Sequence, residues 1–287
     1  MILNEKITQR DRLAKNLLSN VYVLAKFLKT CIPVYRNLSD DEIISCIVSS
    51  TEDEKSNTVR GLNIEENSEG DSKIIYDLLY AIKSPSGRKT IILNIEMQKE
   101  SMGHEVLYYR GIYYACRLIS RQKNIEFMGN NYKEMNEVYS VWIFPFEKDS
   151  DITKYVMKPE TLYGKPPRFH RNSMINVLNI GIGDVAPRNN EFLEVLYILF
   201  KDKSDAKIKM TRLENLGVYL TTKEVKEMES FMGIFDEHSR KEGLAEGEKR
   251  LGSLINAMIE HGESNLIQRI LKDNNLKETY YKKYHIV

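Results

Sequence analysis

The sequence predicts an α/β domain followed by a mainly helical tail, and three observations carry that expectation. Helix-period and strand-type runs alternate from about Lys15 to Lys201, in the order α-β-β-α-β-β-α. Beyond Ser204 almost no β-rich run remains, so residues 1–203 read as one domain and 204–287 as a helical region. The chain has 287 residues, 42% apolar and 29% charged, which suffices to bury a core of ordinary soluble composition.

Leu13, Leu17, Leu24 and Leu28 recur at helical spacing and predict one helix over 11–30, stopped by Pro33. Ser39 then precedes "DDEIISCIVSS", a short helix with a cap and acids in its first turn. Thr51 to Asp71 is polar and reads as a loop. Two β-rich runs follow, "KIIYDLLYAI" and "KTIILNIEM", joined by "KSPSGR", whose Pro-Ser-Gly centre signals a hairpin. "EVLYYRGIYYACRLISRQ" predicts a long helix, "VYSVWIFPF" and "SMINVLNIGIG" predict strands, and "NNEFLEVLYILFK" predicts a helix capped by Asn190. In the tail, "MTRLENLGVYL", "KEVKEMESFMGIF", "RLGSLINAMIE" and "NLIQRILKD" are helical, and the glycine-punctuated "RKEGLAEGEKRLG" predicts a hinge or a loosely ordered segment.

Forty-two basic against forty-one acidic residues give a net charge of +1, so a nucleic-acid surface has to be a local patch. Cys31, Cys46 and Cys116 lie in apolar periodic stretches and read as buried thiols of a reducing compartment. The opening "MILNEKITQRDRLAKN" lacks the pattern of a secretory signal, and no run approaches the length of a membrane span. The expected location is the cytoplasm, with no membrane partner. The histidines are scattered without a pair at zinc-ligand spacing, and "GIGD" at Gly181 to Asp184 lacks the lysine of a phosphate loop.

Chemistry concentrates in "IILNIEMQKE". Alternation puts Asn94, Glu96 and Gln98 on one strand face and Leu93, Ile95 and Met97 on the other. With the hairpin pivoting near Ser86–Gly87, Asp77 of the partner strand lands opposite Glu96. Two carboxylates about 5 Å apart repel by roughly 3 kcal/mol at an effective dielectric of about 20. A hard divalent cation reverses that sign, and Mg²⁺ accepts one or two carboxylates plus water and a substrate phosphate. Relief of the repulsion predicts that Asp77→Asn stabilises the metal-free protein. The same acids would equally suit the solvent face of a half-buried sheet.

"NIEMQ", preceded by "DLLYAIKSPSGRKTIIL", resembles the core of the PD-(D/E)XK nuclease family transposases, the group that includes the recombination-promoting nucleases. That family carries an Asp on one strand and Glu-x-Gln on the next, with Gln where most of the superfamily has Lys. Asp77, Glu96 and Gln98 match those positions. "VRGLNIEENS", "YYRGIYYACRLISRQKNIEFMGNNYKEMNEVYSVWIFPF" and "FMGIFDEHSRKEGLAEGE" extend the resemblance over most of the chain from about Leu62. It implies a restriction-endonuclease-like core, a mixed sheet flanked by helices, and DNA cleavage dependent on Mg²⁺ or Mn²⁺. Asp77 and Glu96 would then hold the metal and Gln98 the attacking water. A further acid would come from Glu42 or Glu65. Gln122 matches a glutamine of the family's helix.

Arg110, Tyr114, Arg117 and Arg121 recur at steps of four, three and four and form one helix stripe, while Ile112, Cys116 and Ile119 lie on another face suited to the sheet. Beside a metal site the stripe would hold a phosphate backbone, with Tyr114 or Tyr113 stacking on a base or sugar. Otherwise it is a wet helix face whose arginine stems cover apolar surface. "KPPRFHR" is either a DNA-contacting loop or a surface turn, and the basic, tyrosine-bearing C-terminus suits DNA or another subunit. The expected protein is a DNA endonuclease acting as a homodimer, since double-strand cutting needs two active sites. The alternatives are a silent mobile-element remnant that binds DNA or protein, and an enzyme acting on RNA.

Overall fold

A computed structural model describes residues 2–48, 65–66, 74–87, 89–98, 103–145, 147–165 and 173–286, with backbone alone at 2–8, 10, 65, 66, 74, 75 and 232–246. "KPPRFHR" from residue 166 onward and most of the polar loop after Thr51 lie outside the described residues.

The first helical stretch divides into α1 (Ile2–Leu18) and α2 (Val21–Cys31). The single helix expected over 11–30 is broken because the Asn20 side chain accepts from the backbone N–H groups of Tyr22 and Val23, capping α2. Its amide also donates to the Tyr219 carbonyl at 3.1 Å and to Glu224 at 2.8 Å. The second helix, α3 (Asp40–Val48), starts as expected after Ser39.

β1 (Glu65–Glu66) pairs antiparallel with β2 (Ile74–Ile75) in a small separate sheet. The main sheet contains β3 (Leu78–Lys83), β4 (Thr90–Met97), β5 (Glu137–Phe144), β6 (Asp151–Val156) and β7 (Ile175–Gly181), in the order β3-β4-β5-β7-β6. The two central pairings, β4 with β5 and β5 with β7, are parallel, and the two outer ones are antiparallel. The architecture is therefore an α/β fold with a mixed sheet flanked by helices, as the alternating pattern predicts. β6 was not expected. "DITKYV" is half-exposed along its length because it is an edge strand, so it lacks a continuous apolar run.

α4 (His104–Arg121) lies against β5 and β7. Gly111 permits the close approach, since a Cβ there would sit 2.4 Å from Val177 Cγ1 and 3.0 Å from Trp142 Nε1. At its C-terminal end the buried Gln122 amide donates to the Asn136 carbonyl at 3.1 Å and accepts the Asn136 N–H at 2.7 Å, clamping the helix to the start of β5. Residues on the opposite sheet face, among them Leu93, Ile95, Val141 and Leu178, are buried too. α1 touches β4, and α3 touches β3.

α5 (Glu191–Phe200) is capped by Asn190, which accepts the Leu193 N–H at 3.0 Å. Buried Lys26 bridges Asp40 at 2.7 Å and Glu191 at 2.6 Å, so one ammonium ties α2 to the starts of α3 and α5. α6 (Ala206–Asn215) precedes α7 (Thr222–Glu260), whose helical backbone continues through the glycine-punctuated stretch where a hinge or loose segment was expected.

Compact units comprise Met1–Met232 and Gly233–Val287, whereas the change in composition lies near Ser204. In the second unit, Leu254 and Met258 of α7 pack with Ile270 of α8 (Ile267–Lys272) and Tyr281 of α9 (Asn274–Lys283). Of the three thiols expected to be buried, only Cys31 is; Cys46 is half-buried, and Cys116 is exposed because α4 turns its Leu107-Gly111-Ala115-Leu118 ridge to the sheet instead. Among the described residues, no helix is long and apolar enough to cross a membrane.

Candidate functional site

The hairpin builds the acid pair. Gly87, at φ +68°, takes the left-handed turn position, its N–H donates to the Ser84 carbonyl at 2.8 Å, and the Ser84 N–H donates to the Lys89 carbonyl at 2.7 Å. That closure sets the register Leu78↔Ile95 and Leu79↔Asn94. One residue further on, Asp77 faces Glu96, and the Asp77 N–H donates to Glu96 Oε1 at 3.1 Å. Asp77 lies in a break between β2 and β3 rather than inside one long strand, and its Oδ2 accepts the Met97 N–H at 3.3 Å. Each acid is thus held by the other's backbone or by the adjoining residue's.

The two carboxylates have different surroundings. Glu96 is only 6% exposed. Burial first, and the charge of Asp77 second, push its carboxyl well above the usual range, against the pull of the Asp77 N–H. Asp77 has a counter-ion: Lys15 Nζ of α1 lies 2.8 Å from its Oδ1 and 3.2 Å from Asp11 Oδ2. Burial disfavours the ammonium, but the hydrogen bond and charge of Asp77, helped by Asp11, outweigh it and raise the Lys15 pKa. Lys15 and Asp11 were not singled out in the sequence. One helical turn separates them on α1, and no local pattern links that turn to Asp77.

Gln98 lies one residue beyond β4, half-buried, with its N–H donating to the Ile143 carbonyl at 2.8 Å. Of the possible further acids, Glu42 is committed elsewhere. It accepts from the Ser39 N–H and hydroxyl, both at 2.8 Å, and the Ser39 hydroxyl accepts the Glu42 N–H, a capping box that holds its carboxyl below the usual range. Glu65 pairs through its backbone with Ile75 on β2, and its side chain lies outside the description. Among the described residues, no group of three or more His, Cys, Asp or Glu side chains gathers to hold a metal ion.

Arg110 and Tyr114, at one end of the arginine stripe, border this site, whereas Arg121, next to Gln122, lies at the other end of the helix by the start of β5. Tyr114 packs edge-on against Tyr76 at 5.5 Å and against Trp142 at 5.1 Å between ring centroids. Tyr76 adjoins Asp77, and Trp142 is the cross-strand neighbour of Glu96. The Arg110 guanidinium sits over Trp142, 4.9 Å from its centroid. Arg110, Tyr114, Arg117 and Arg121 are all half-buried flanks of the helix. The Tyr114 ring is engaged in packing and half-buried, whereas Tyr113, the other ring suited to stacking on a base or sugar, is exposed.

One amide on the same sheet face has no hydrogen-bond partner among the described residues: Asn179, in the row Glu96–Trp142–Asn179. It is wholly buried, an arrangement that costs about 1–3 kcal/mol per unsatisfied group.

No protein family's model, no curated protein and no solved structure matches the chain. What the site does has to follow from its own geometry and chemistry.

Proposed function

We propose that the protein is a metal-dependent DNA endonuclease of transposase ancestry on a restriction-endonuclease-like core, with Asp77 and Glu96 as ligands of Mg²⁺ or Mn²⁺. One observation carries the reading: Glu96 is buried against Asp77, where burial and the Asp77 charge disfavour its own negative charge, a cost that a divalent ion at the pair would offset. Two adjoining carboxylates, with the Gln98 amide that strand alternation would put on the Glu96 side, would form an oxygen donor set for a hard divalent ion retaining several waters. Such an ion would polarise the phosphodiester and lower the pKa of a bound water.

The chain's own groups would do the rest. Asp77 and Glu96 are held side by side by backbone N–H groups, and the ion would take the Asp77 oxygen that Lys15 now holds. Gln98 would accept from or donate to the attacking water without adding charge. Arg110, Arg117 and Arg121, on the helix that Tyr114 fastens beside the acids, would hold neighbouring phosphates. A homodimer would offer two such sites for the two strands. In this reading the protein works in the cytoplasm.

A second reading, a silent mobile-element remnant that binds DNA or protein, is favoured by the Lys15–Asp77 ion pair, which neutralises one acid without any metal.

The deciding experiment is cleavage of supercoiled plasmid with Mg²⁺, Mn²⁺ or EDTA, beside Glu96→Gln. Metal-dependent nicking or linearisation absent from the variant is the expected result, and matched RNA separates the two nucleic acids. Equal activity in both proteins would mark a contaminant, and gel-shift binding without cleavage would support the silent remnant.

A further inference from the structure

The site contains a cation that its strand motif does not supply. Leu13, Ala14, Leu17 and Leu18 are buried and set the rotation of α1, and Lys15 reaches Asp77 Oδ1 while also held by Asp11. Asp77 therefore has one oxygen on the Met97 N–H and the other on an ammonium, and a divalent ion at Asp77 and Glu96 competes directly with that ammonium. Asp11 contacts Lys15 independently of Asp77, so an ammonium displaced from Asp77 stays tethered beside the acids.

We propose that Lys15 is a catalytic residue, passing from Asp77 to a non-bridging oxygen of the substrate phosphate when a divalent ion takes the acid pair. The proposal rests on the metal-dependent cleavage reading. In the hydrolysis, the water oxygen bonds to phosphorus and one P–O ester bond breaks. The water's proton goes to solvent, and the leaving oxygen gains one from solvent. Lys15 keeps its protons throughout and donates a hydrogen bond to the oxygen whose negative charge grows in the transition state. Gln98, an uncharged amide, cannot provide that charge. A lysine ammonium suits the task as a compact point charge with three donors.

The test compares wild type, Lys15→Met and Lys15→Arg in steady-state plasmid cleavage with Mg²⁺, and measures Mn²⁺ binding to each protein by electron paramagnetic resonance. Lys15→Met is expected to lower kcat by about 100-fold or more, the scale of losing one preorganised transition-state donor, with KM changed far less. Lys15→Arg should recover part of the loss. Mn²⁺ should bind Lys15→Met as tightly as wild type or tighter, because the competing ammonium is gone. An active wild type with Lys15→Met cutting equally well would remove Lys15 from the chemistry and leave the nuclease reading standing. Loss of Mn²⁺ binding together with cleavage in Lys15→Met would make the residue a brace for the acids and overturn the proposal. A wild type that binds Mn²⁺ and cuts nothing would refute cleavage and the catalytic role together.

Discussion

Replacing Glu96 by Gln removes a charge from the place where the fold least tolerates it, so the metal-free protein should become more stable. Carboxylates facing each other across paired strands, about 5 Å apart at an effective dielectric near 20, repel by about 3 kcal/mol. Lys15 offsets part of the Asp77 charge, leaving an expected gain of about 1–2 kcal/mol. The amide oxygen can still accept the Asp77 N–H, so that hydrogen bond survives. Charge counting alone assigns the gain to Asp77→Asn. The ion pair moves the expectation to Glu96, because Asp77→Asn would also strip Lys15 of a partner. The pH dependence has a definite sign. A carboxyl whose folded pKa is raised costs no stability below its unfolded value near ~4.3, and the cost grows as pH rises to the folded value and then levels off. Urea unfolding in EDTA from about pH 4.5 to 8 should show Glu96→Gln pulling ahead of wild type as pH rises. Excess Mg²⁺ should raise the melting temperature of wild type and leave the variant nearly unchanged. A variant less stable than wild type at every pH, or a gap flat with pH, would refute the strained acid pair.

Gly111→Ala forces a methyl into Val177 and Trp142, and overpacking of about 1–3 kcal/mol should exceed the helix-propensity gain of about 1 kcal/mol, lowering the melting temperature by a few degrees. Gln122→Ala leaves the buried N–H and carbonyl of Asn136 without their side-chain partner, and thermal melts should register a loss of about 2 kcal/mol or more. Among the thiols, exposed Cys116 should react with a disulfide reagent in the native protein, while burial pushes Cys31 up to about 12 and keeps it unreactive until unfolding. Cys116→Ser should abolish the fast phase of that labelling.

The local features of this protein were legible in its amino acids. A Gly at the turn and β-rich flanks specify a two-strand hairpin, and a hairpin's turn specifies which residues face each other, so Asp77 and Glu96 could be paired by counting. The helical periods that mark α3, α4 and α5, with Ser39 and Asn190 as caps, are also properties of a few consecutive residues. Tertiary structure decided what depends on distant parts of the chain. It broke the first helix at Asn20, whose amide finds Tyr219 and Glu224, and it put half-exposed "DITKYV" at the sheet edge beside β7. It turned Tyr114 inward and Cys116 outward, because the ridge that α4 buries is selected by where Gly111 admits Val177 and Trp142. Above all it brought Lys15 to Asp77. Hairpin register is set by a turn of a few residues, whereas a contact between α1 and the break before β3 forms only once burial of α1's leucines has set the helix's rotation on the core.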